Sequence, residues 1–251
     1  MSPYDFQLNS PLGKAILALA REGDYAHPGE EDAIVLATAL VNRADIRRVL
    51  DVGCGRGGSA AWLARHGWGE VAGVDLDAES IRLARERYPG LDFRAADVGR
   101  LATLGLEPHD LIFLLTAFYA FPDQPAALRQ MRAVCRPGGS LLMMDYTRPA
   151  GLPAPPELGA EIGQPIVLEL LAAELSQSGW RLQTLEDWTP RFANWYAQLL
   201  ARFRAREADI LRLAGPEWHA FILRWYGDLH QALLEGRLGG AAFTAVAVDP
   251  G

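Results

Sequence analysis

Val49-Leu-Asp-Val-Gly-Cys-Gly-Arg-Gly-Gly-Ser-Ala60 joins a β-branched, apolar strand to a glycine-rich turn and the start of a helix, with an acid, Asp51, just ahead of the turn. Glycines at Gly53, Gly55 and Gly57 let the backbone turn tightly and approach a ligand without Cβ obstruction. Gly53, Gly55 and Gly58 also satisfy the dinucleotide pattern G-x-G-x-x-G, so the spacing alone does not discriminate. Asp51 adds the discriminating charge: a carboxylate here repels a diphosphate and attracts an ammonium.

Working outward, Glu70-Val-Ala-Gly-Val-Asp75 is a short strand ending in an acid, followed by a helix over Ala78–Arg87. Asp75 falls about 20 residues beyond the loop, where a carboxylate can take both hydroxyls of a ribose. Its alternative role is to cap the helix that follows. Leu91-Asp-Phe-Arg-Ala-Ala-Asp97 repeats the form of a short strand with an acid at its end. A fourth strand follows in Asp110-Leu-Ile-Phe-Leu-Leu115, and Arg136-Pro-Gly-Gly-Ser140 turns into an apolar fifth. Strand and helix patterns alternate from Arg48 to Asp187, which predicts parallel strands with helices on both faces. The expected strands are Val49–Val52, Glu70–Val74, Leu91–Ala95, Leu111–Leu115, Leu141–Asp145, Arg181–Leu185 and a last one over Ala241–Val248. Ligands in such sheets bind outside the carboxyl ends of the strands, where the acids fall.

This ordered set resembles the class I S-adenosylmethionine (SAM)-dependent methyltransferases, whose first motif reads D/E-x-G-x-G-x-G. The resemblance implies a three-layer αβα Rossmann-like α/β fold, with a mostly parallel seven-stranded sheet whose last strand is antiparallel. It implies SAM as cofactor and S-adenosylhomocysteine (SAH) as product. The implied cofactor contacts are Asp51 at the methionine ammonium, Gly53, Cys54 and Gly55 in the loop, Asp75 and Leu76 after strand two, Ala96, Asp97 and Val98 after strand three, and the backbone of Leu114. Asp97 stands where the family commonly meets the adenine amino group. Cys54 has a second reading as a small filler of the loop. Tyr119 stands where many relatives carry a substrate-facing histidine. The closing third is loosely similar to small-molecule N- and O-methyltransferases, including the sarcosine/dimethylglycine and phosphoethanolamine types. The N/D-P-P-Y/F signature of many nucleic-acid and protein-amide methyltransferases is replaced here by Leu115-Thr-Ala-Phe-Tyr119, which counts against those acceptors.

Composition agrees. The 251 residues are 50% hydrophobic, enough for one α/β domain with an elaboration. With 24 basic against 31 acidic residues and a net charge of −7, the surface lacks the basic footprint of a nucleic-acid binder. Cys54 sits in the loop and Cys135 late in an expected helix, which fits reduced thiols in the cytoplasm, and no cluster suggests a metal. A secretory signal is not expected, and no window reaches about 18 continuous apolar residues, so no membrane span is expected.

Four segments follow: a helical leader over 1–45, the SAM-binding core over 46–187, a helical insertion over 188–239, and the last strand in 240–251. Pro149-Ala-Gly-Leu-Pro-Ala-Pro-Pro156 cannot be helix or central strand and is expected to cross the active-site edge before a helix over Ile166–Ser178. The insertion reads as two helices broken at Ala214-Gly215-Pro216. Phe192, Trp195, Tyr196, Leu199, Leu200 and Phe203 recur at helical spacing in the first, and Trp218, Phe221, Ile222, Trp225, Tyr226, Leu229 and Leu233 in the second. Such a stripe is by default packing, but long insertions at a ligand edge are typically lids, so this one is expected to cover an acceptor pocket. Arg21-Glu-Gly-Asp-Tyr-Ala-His-Pro-Gly-Glu30 resembles a leader of bacterial small-molecule methyltransferases and would bring Tyr25 and His27 over the cofactor, with an exposed turn position as the alternative for His27.

The expected reaction is in-line transfer of a methyl group to a nitrogen or oxygen of a small molecule, with sulfur or carbon less favoured, by a monomer or homodimer. Positioning supplies much of the rate in such chemistry, so no fixed triad is needed. His27, Tyr119, Asp145 and Tyr146 are the candidates for proton handling, and Tyr25, Tyr119, Trp195 and Tyr196 for holding the acceptor. Two alternatives stand beside this: a non-catalytic SAM-binding protein, and an NAD-dependent oxidoreductase. The second is disfavoured by Asp51, by Asp97, and by a sole lysine, Lys14, that precedes the core.

Overall fold

In the computed structural model, which describes residues 6–21 and 23–248, alternate residues of the central strands bury themselves on opposite faces. The strand Arg48–Val52 (β1) sends Val49 into one core and Leu50 and Val52 into the other. His109–Leu115 (β4) does the same with Leu111, Phe113 and Leu115 against Ile112 and Leu114. Strands buried on both faces read as unbroken apolar runs, which is how β4 appears in the sequence.

The chain begins with helices Pro11–Arg21 (α1) and Glu30–Thr38 (α2). After β1 come Gly58–Arg65 (α3), Glu70–Asp75 (β2), Ala78–Arg87 (α4) and Asp92–Ala95 (β3). After β4 come Gln124–Ala133 (α5), Cys135–Arg148 (β5), Ile166–Val167 (β6), Leu168–Gln177 (α6) and Trp180–Asp187 (β7). Thr189–Ala205 (α7), Glu207–Leu234 (α8) and Gly239–Ala247 (β8) close the described chain. The sheet order is β3-β2-β1-β4-β5-β8-β7, with β6 paired to β5 off that path. β8 runs antiparallel to both β5 and β7, while β1 to β5 pair in parallel. The expected mostly parallel seven-stranded sheet with an antiparallel last strand is therefore present, with the short β6 as an addition. Strand order reverses between β1 and β4, and the carboxyl edge of that pair is where a ligand crevice opens.

Three local expectations are corrected. Cys135 opens β5 rather than ending a helix, because α5 stops at Ala133. The helix expected over Ile166–Ser178 starts at Leu168, because Ile166 and Val167 pair with Thr147 and Arg148. The insertion breaks first at Arg206, between α7 and α8, and then kinks within α8 at Gly215 (φ 83°). Pro216 accounts for the kink, since it offers no N–H and disfavours helical backbone in the residue before it.

Every aromatic of the expected stripe on α7 and α8 is buried. α7 and α8 pack on each other, on α1 and, through α7, on β8. Gly29 is one place where leader and insertion press together: its φ is 80°, and a Cβ there would lie 2.5 Å from the Trp195 ring. Among the described residues no helix is long and apolar enough to cross a membrane.

Candidate active site

A cavity of about 560 Å³ opens at the carboxyl edge of β1, β2 and β4 and extends under the insertion. Its first half is the glycine loop and the strand ends beside it. Gly53, Gly55, Asp75, Leu76, Ala96, Asp97 and Val98 all line it. Gly53 and Cys54 donate their N–H groups to the Val74 carbonyl (2.8 and 3.1 Å), which ties the loop to β2. Gly53 has φ 77°, and a Cβ would sit 2.4 Å from that of Ala117, so only glycine lets the turn pass the end of β4.

Asp75 does not cap α4; Asp77 does, accepting from the Glu79 N–H at 3.2 Å. Asp75 instead accepts from Gly55 N–H on Oδ2 and Asp77 N–H on Oδ1, both at 2.8 Å. Each oxygen keeps a lone pair for a further donor. Asp97 caps a short 3-10 turn through the Gly99 N–H (2.7 Å) and also lines the cavity, so the two readings of that acid are compatible.

Asp51, expected at the methionine ammonium, lies behind the loop, 2% exposed and outside the cavity lining. Its carboxyl is pushed up to about 8, first by burial and then by the charge of Asp75, against one bond from the Ala60 backbone. Its Oδ2 has no hydrogen-bond partner among the described residues. Cys54 is buried outside the lining, its thiol raised by burial, which fits the filler reading. Leu114 also lies outside the lining, buried in β4 opposite Met143; Thr116 and Ala117, just beyond the strand, take that edge. Thr116 has φ 49°, an unusual backbone for a β-branched residue, as expected where a chain is forced toward a site.

The second half of the cavity is aromatic. Tyr119, Tyr146, Tyr196, Trp225 and Tyr226 line it, joined by Arg21 and Glu161. The Tyr119 and Tyr146 rings meet edge to face at 5.1 Å, and the Tyr146 and Tyr196 hydroxyls hydrogen-bond. Burial raises all four phenols; Tyr196 rises least, to about 12, because the Arg21 charge and hydrogen bonds with Tyr146 and Arg21 all oppose the shift. Tyr25 lines the cavity beside the start of α3 and donates to Glu31 (2.7 Å).

Two expected catalytic groups do not reach this space. His27 is buried behind the wall, with Nδ1 3.2 Å from the Pro28 carbonyl and Nε2 2.9 Å from Ser59 Oγ. A carbonyl only accepts, so Nδ1 carries the proton and Nε2 accepts from Ser59. Burial pulls its pKa down to about 3, leaving a neutral ring that ties the leader to α3. Asp145 is 0% exposed and turned into the backbone of the loop after β4; Oδ2 accepts from Phe118 (2.7 Å) and Tyr119 (3.4 Å), and Oδ1 from Tyr146 (2.7 Å). Trp195 is also outside this cavity; it packs on Gly29 and borders a separate shallow depression with Arg191 and Asn194.

Residues 49–139 match the methyltransferase-domain family model. That stretch, from β1 to the start of β5, is similar to a methyltransferase domain. It is 36% identical over 156 residues to the methyltransferase GfsG of Streptomyces halstedii, covering 57% of this chain and 55% of that protein. It is 28% identical over 195 residues to a phosphoethanolamine N-methyltransferase of Triticum aestivum, covering 74% of this chain and 38% of the other. The chain thus spans about half or less of the length of these curated relatives. The fold is shared with phosphoethanolamine N-methyltransferase 2 of Haemonchus contortus, solved with phosphomonomethylethanolamine and S-adenosylhomocysteine. That likeness has a TM-score of 0.86 at 18% identity and covers 97% of this chain and 58% of the other.

The sequence also left residues of this cavity unmarked. Arg56 in the glycine loop and Arg21 at the head of the leader line the cavity although neither is given a role from the sequence, and Glu161 lines it with no motif to flag it. Trp225 and Tyr226 were visible only as part of a packing stripe. Lys14, the only lysine, is the one usable signal: it bonds Asp77 and Ser80 at the cavity wall. The Pro149–Pro156 stretch is not in the lining; the turn after it supplies Glu161.

Proposed function

We propose that this methyltransferase uses SAM to methylate a nitrogen or oxygen of a small molecule, with sulfur or carbon less favoured. The observation that carries the reading is that one cavity runs from the glycine loop to the aromatic end, so cofactor and acceptor would share one space. The residues fit the cofactor. The orphaned Asp51 Oδ2 lacks a cation such as an amino-acid ammonium supplies, the spare lone pairs of Asp75 suit ribose hydroxyls, and Leu76, 73% exposed beside them, offers an apolar surface for a base. A dinucleotide fits less well, since its diphosphate would approach the Asp75 carboxylate and would offer the buried Asp51 no cation. Gly53, Gly55, Ala96, Asp97 and Val98 complete the proposed cofactor contacts, with Thr116 and Ala117 in place of Leu114.

SAM supplies a methyl group already activated by its sulfonium. The chain's own work is to align the acceptor, exclude water and manage one proton. Tyr119, Tyr146 and Tyr196 are placed to contact the acceptor, while His27 and Asp145 act by shaping the walls. The helical insertion over 188–239 serves as a lid on the core of 46–187, and the leader over 1–45 closes the glycine-loop end; residues 249–251 of the last segment lie outside the described ones. The acidic surface suits a small acceptor better than a nucleic acid, and a reduced compartment such as the cytoplasm suits two buried free thiols. A monomer or homodimer would serve equally. A screen of amines, phenols, alcohols and thiols with methyl-labelled SAM tests the reading; label recovered only in water-derived methanol, or nowhere, favours a non-catalytic SAM-binding role.

A further inference from the structure

The turn that carries Glu161 is stapled at both ends to the aromatic wall of the cavity. The Trp225 indole N–H donates to the Leu158 carbonyl (3.1 Å), and the Gln164 N–H donates to the Tyr119 carbonyl (2.7 Å). Gly163 presses so closely on Tyr119 that a Cβ would lie 2.3 Å from its carbonyl oxygen. The staples hold Glu161 at the cavity wall, where its carboxylate accepts from the Leu8 backbone N–H and both Tyr119 and Tyr226 feel its charge. It lines the cavity, and among the described residues it forms no ion pair. The rings form a continuous wall: Tyr119 to Tyr146 at 5.1 Å, Tyr196 to Tyr226 at 5.8 Å, and Tyr226 to Trp225 at 4.9 Å.

We propose that the aromatic end of the cavity is a site for an organic ammonium, with Glu161 as its counter-charge, so that the acceptor is an amine rather than a hydroxyl compound. Aromatic faces around a carboxylate are the physical means of holding an alkylammonium out of water. The neighbouring cation does not undo this. Arg21 is 4% exposed, donates to the Tyr25 and His27 carbonyls, and lies 3.8 Å from Glu30, which it shares with Arg202, so the leader takes up part of its charge while its Nε keeps no hydrogen-bond partner among the described residues. In the reaction the bound ammonium passes one proton to the Glu161 carboxylate. The freed nitrogen lone pair then forms the N–CH3 bond as the S–CH3 bond breaks, and the positive charge passes from sulfur to the methylated nitrogen.

The inference rests on the methyl-transfer reading, and a binding experiment separates the two. SAH-loaded protein is titrated with choline and with neohexyl alcohol, its uncharged isostere, in wild type and Glu161→Gln. Choline is expected to bind about tenfold tighter than the alcohol, and the preference to vanish in Glu161→Gln while SAH affinity is kept. Equal affinity for the two probes, binding of neither, or a preference that survives in Glu161→Gln overturns the ammonium site and leaves methyl transfer standing. Failure of the wild type to bind SAH removes both.

Discussion

The carboxylate of Asp145 holds the backbone N–H of Phe118 at 2.7 Å, in a site with no exposure to solvent. That bond, with those from Tyr119 and Tyr146, sets the loop that presents Tyr119 to the cavity. Asp145→Ala leaves three backbone donors without this acceptor, at a cost of about 1–3 kcal/mol for each one stranded from water. A lower melting temperature and a raised KM for the acceptor are the expected results. Equilibrium unfolding together with steady-state kinetics checks both; a stable variant with lost kcat and unchanged KM would mean Asp145 touches the reacting atoms after all.

His27 gives the complementary case. If it were a general base, its removal would cost about 100-fold or more in kcat. Its neutral, buried ring instead predicts that His27→Gln, which keeps hydrogen-bonding capacity toward Ser59 or Pro28, changes kcat by less than about threefold. The pH–rate profile is expected to show no limb that disappears with this substitution.

Two buried acids predict an unusual dependence of stability on pH. Burial raises Asp51 to about 8 and Asp145 to about 7, from an ordinary value of 3.8. The folded state therefore binds more protons than the unfolded state between about pH 4 and pH 8, so stability falls as pH rises through that window. Asp77, lowered to about 2 with Lys14 and Ser80 as partners, acts oppositely: its contribution is present above pH 3.8 and lost as pH falls toward 2. Denaturant unfolding at pH 5.5 and pH 8 is expected to show the ligand-free protein weaker at the higher pH, and Asp51→Asn to reduce the difference. An ammonium-bearing ligand that pairs with Asp51 should reverse the trend and release a proton on binding below pH 8. Calorimetry in two buffers of different ionisation enthalpy measures that release.

Gly29→Ala tests the coupling of leader to lid. Glycine's φ of 80° and the 2.5 Å approach to Trp195 predict a loss of about 1–2 kcal/mol from backbone strain alone, with further loss from displacing the ring. The intrinsic tryptophan emission should shift with it. Unchanged stability and emission would show that the two segments do not depend on this contact.

The sheet was legible because its information is local: β1, β2 and β3 each end at an acid or a glycine turn, and spacing alone orders Asp51, Asp75 and Asp97 along one edge. Facing was not. Trp195 and Tyr196 are adjacent on α7, and successive helical residues point about 100° apart, so only one reaches the cavity. Tyr196 does, while Trp195 turns to Gly29. His27 and Asp145 are polar residues at the right edge, but their type does not reveal that Ser59 and the Phe118 backbone already occupy them. Leu114 missed the cavity by two residues because the strand runs on to Leu115 before the chain turns at Thr116. Glu161 owes its place to staples from Trp225 and Tyr119, which are distant in sequence, and no local pattern encodes that.

The central claim is the cofactor, and isothermal titration with SAM, SAH and NAD(H) tests it most directly, in wild type and in Asp75→Ala. The account predicts micromolar binding of both adenosyl ligands, its loss in the variant, and none for NAD(H). Binding of NAD(H) with neither adenosyl ligand bound would contradict the reading of Asp51 and the methyl-transfer function with it.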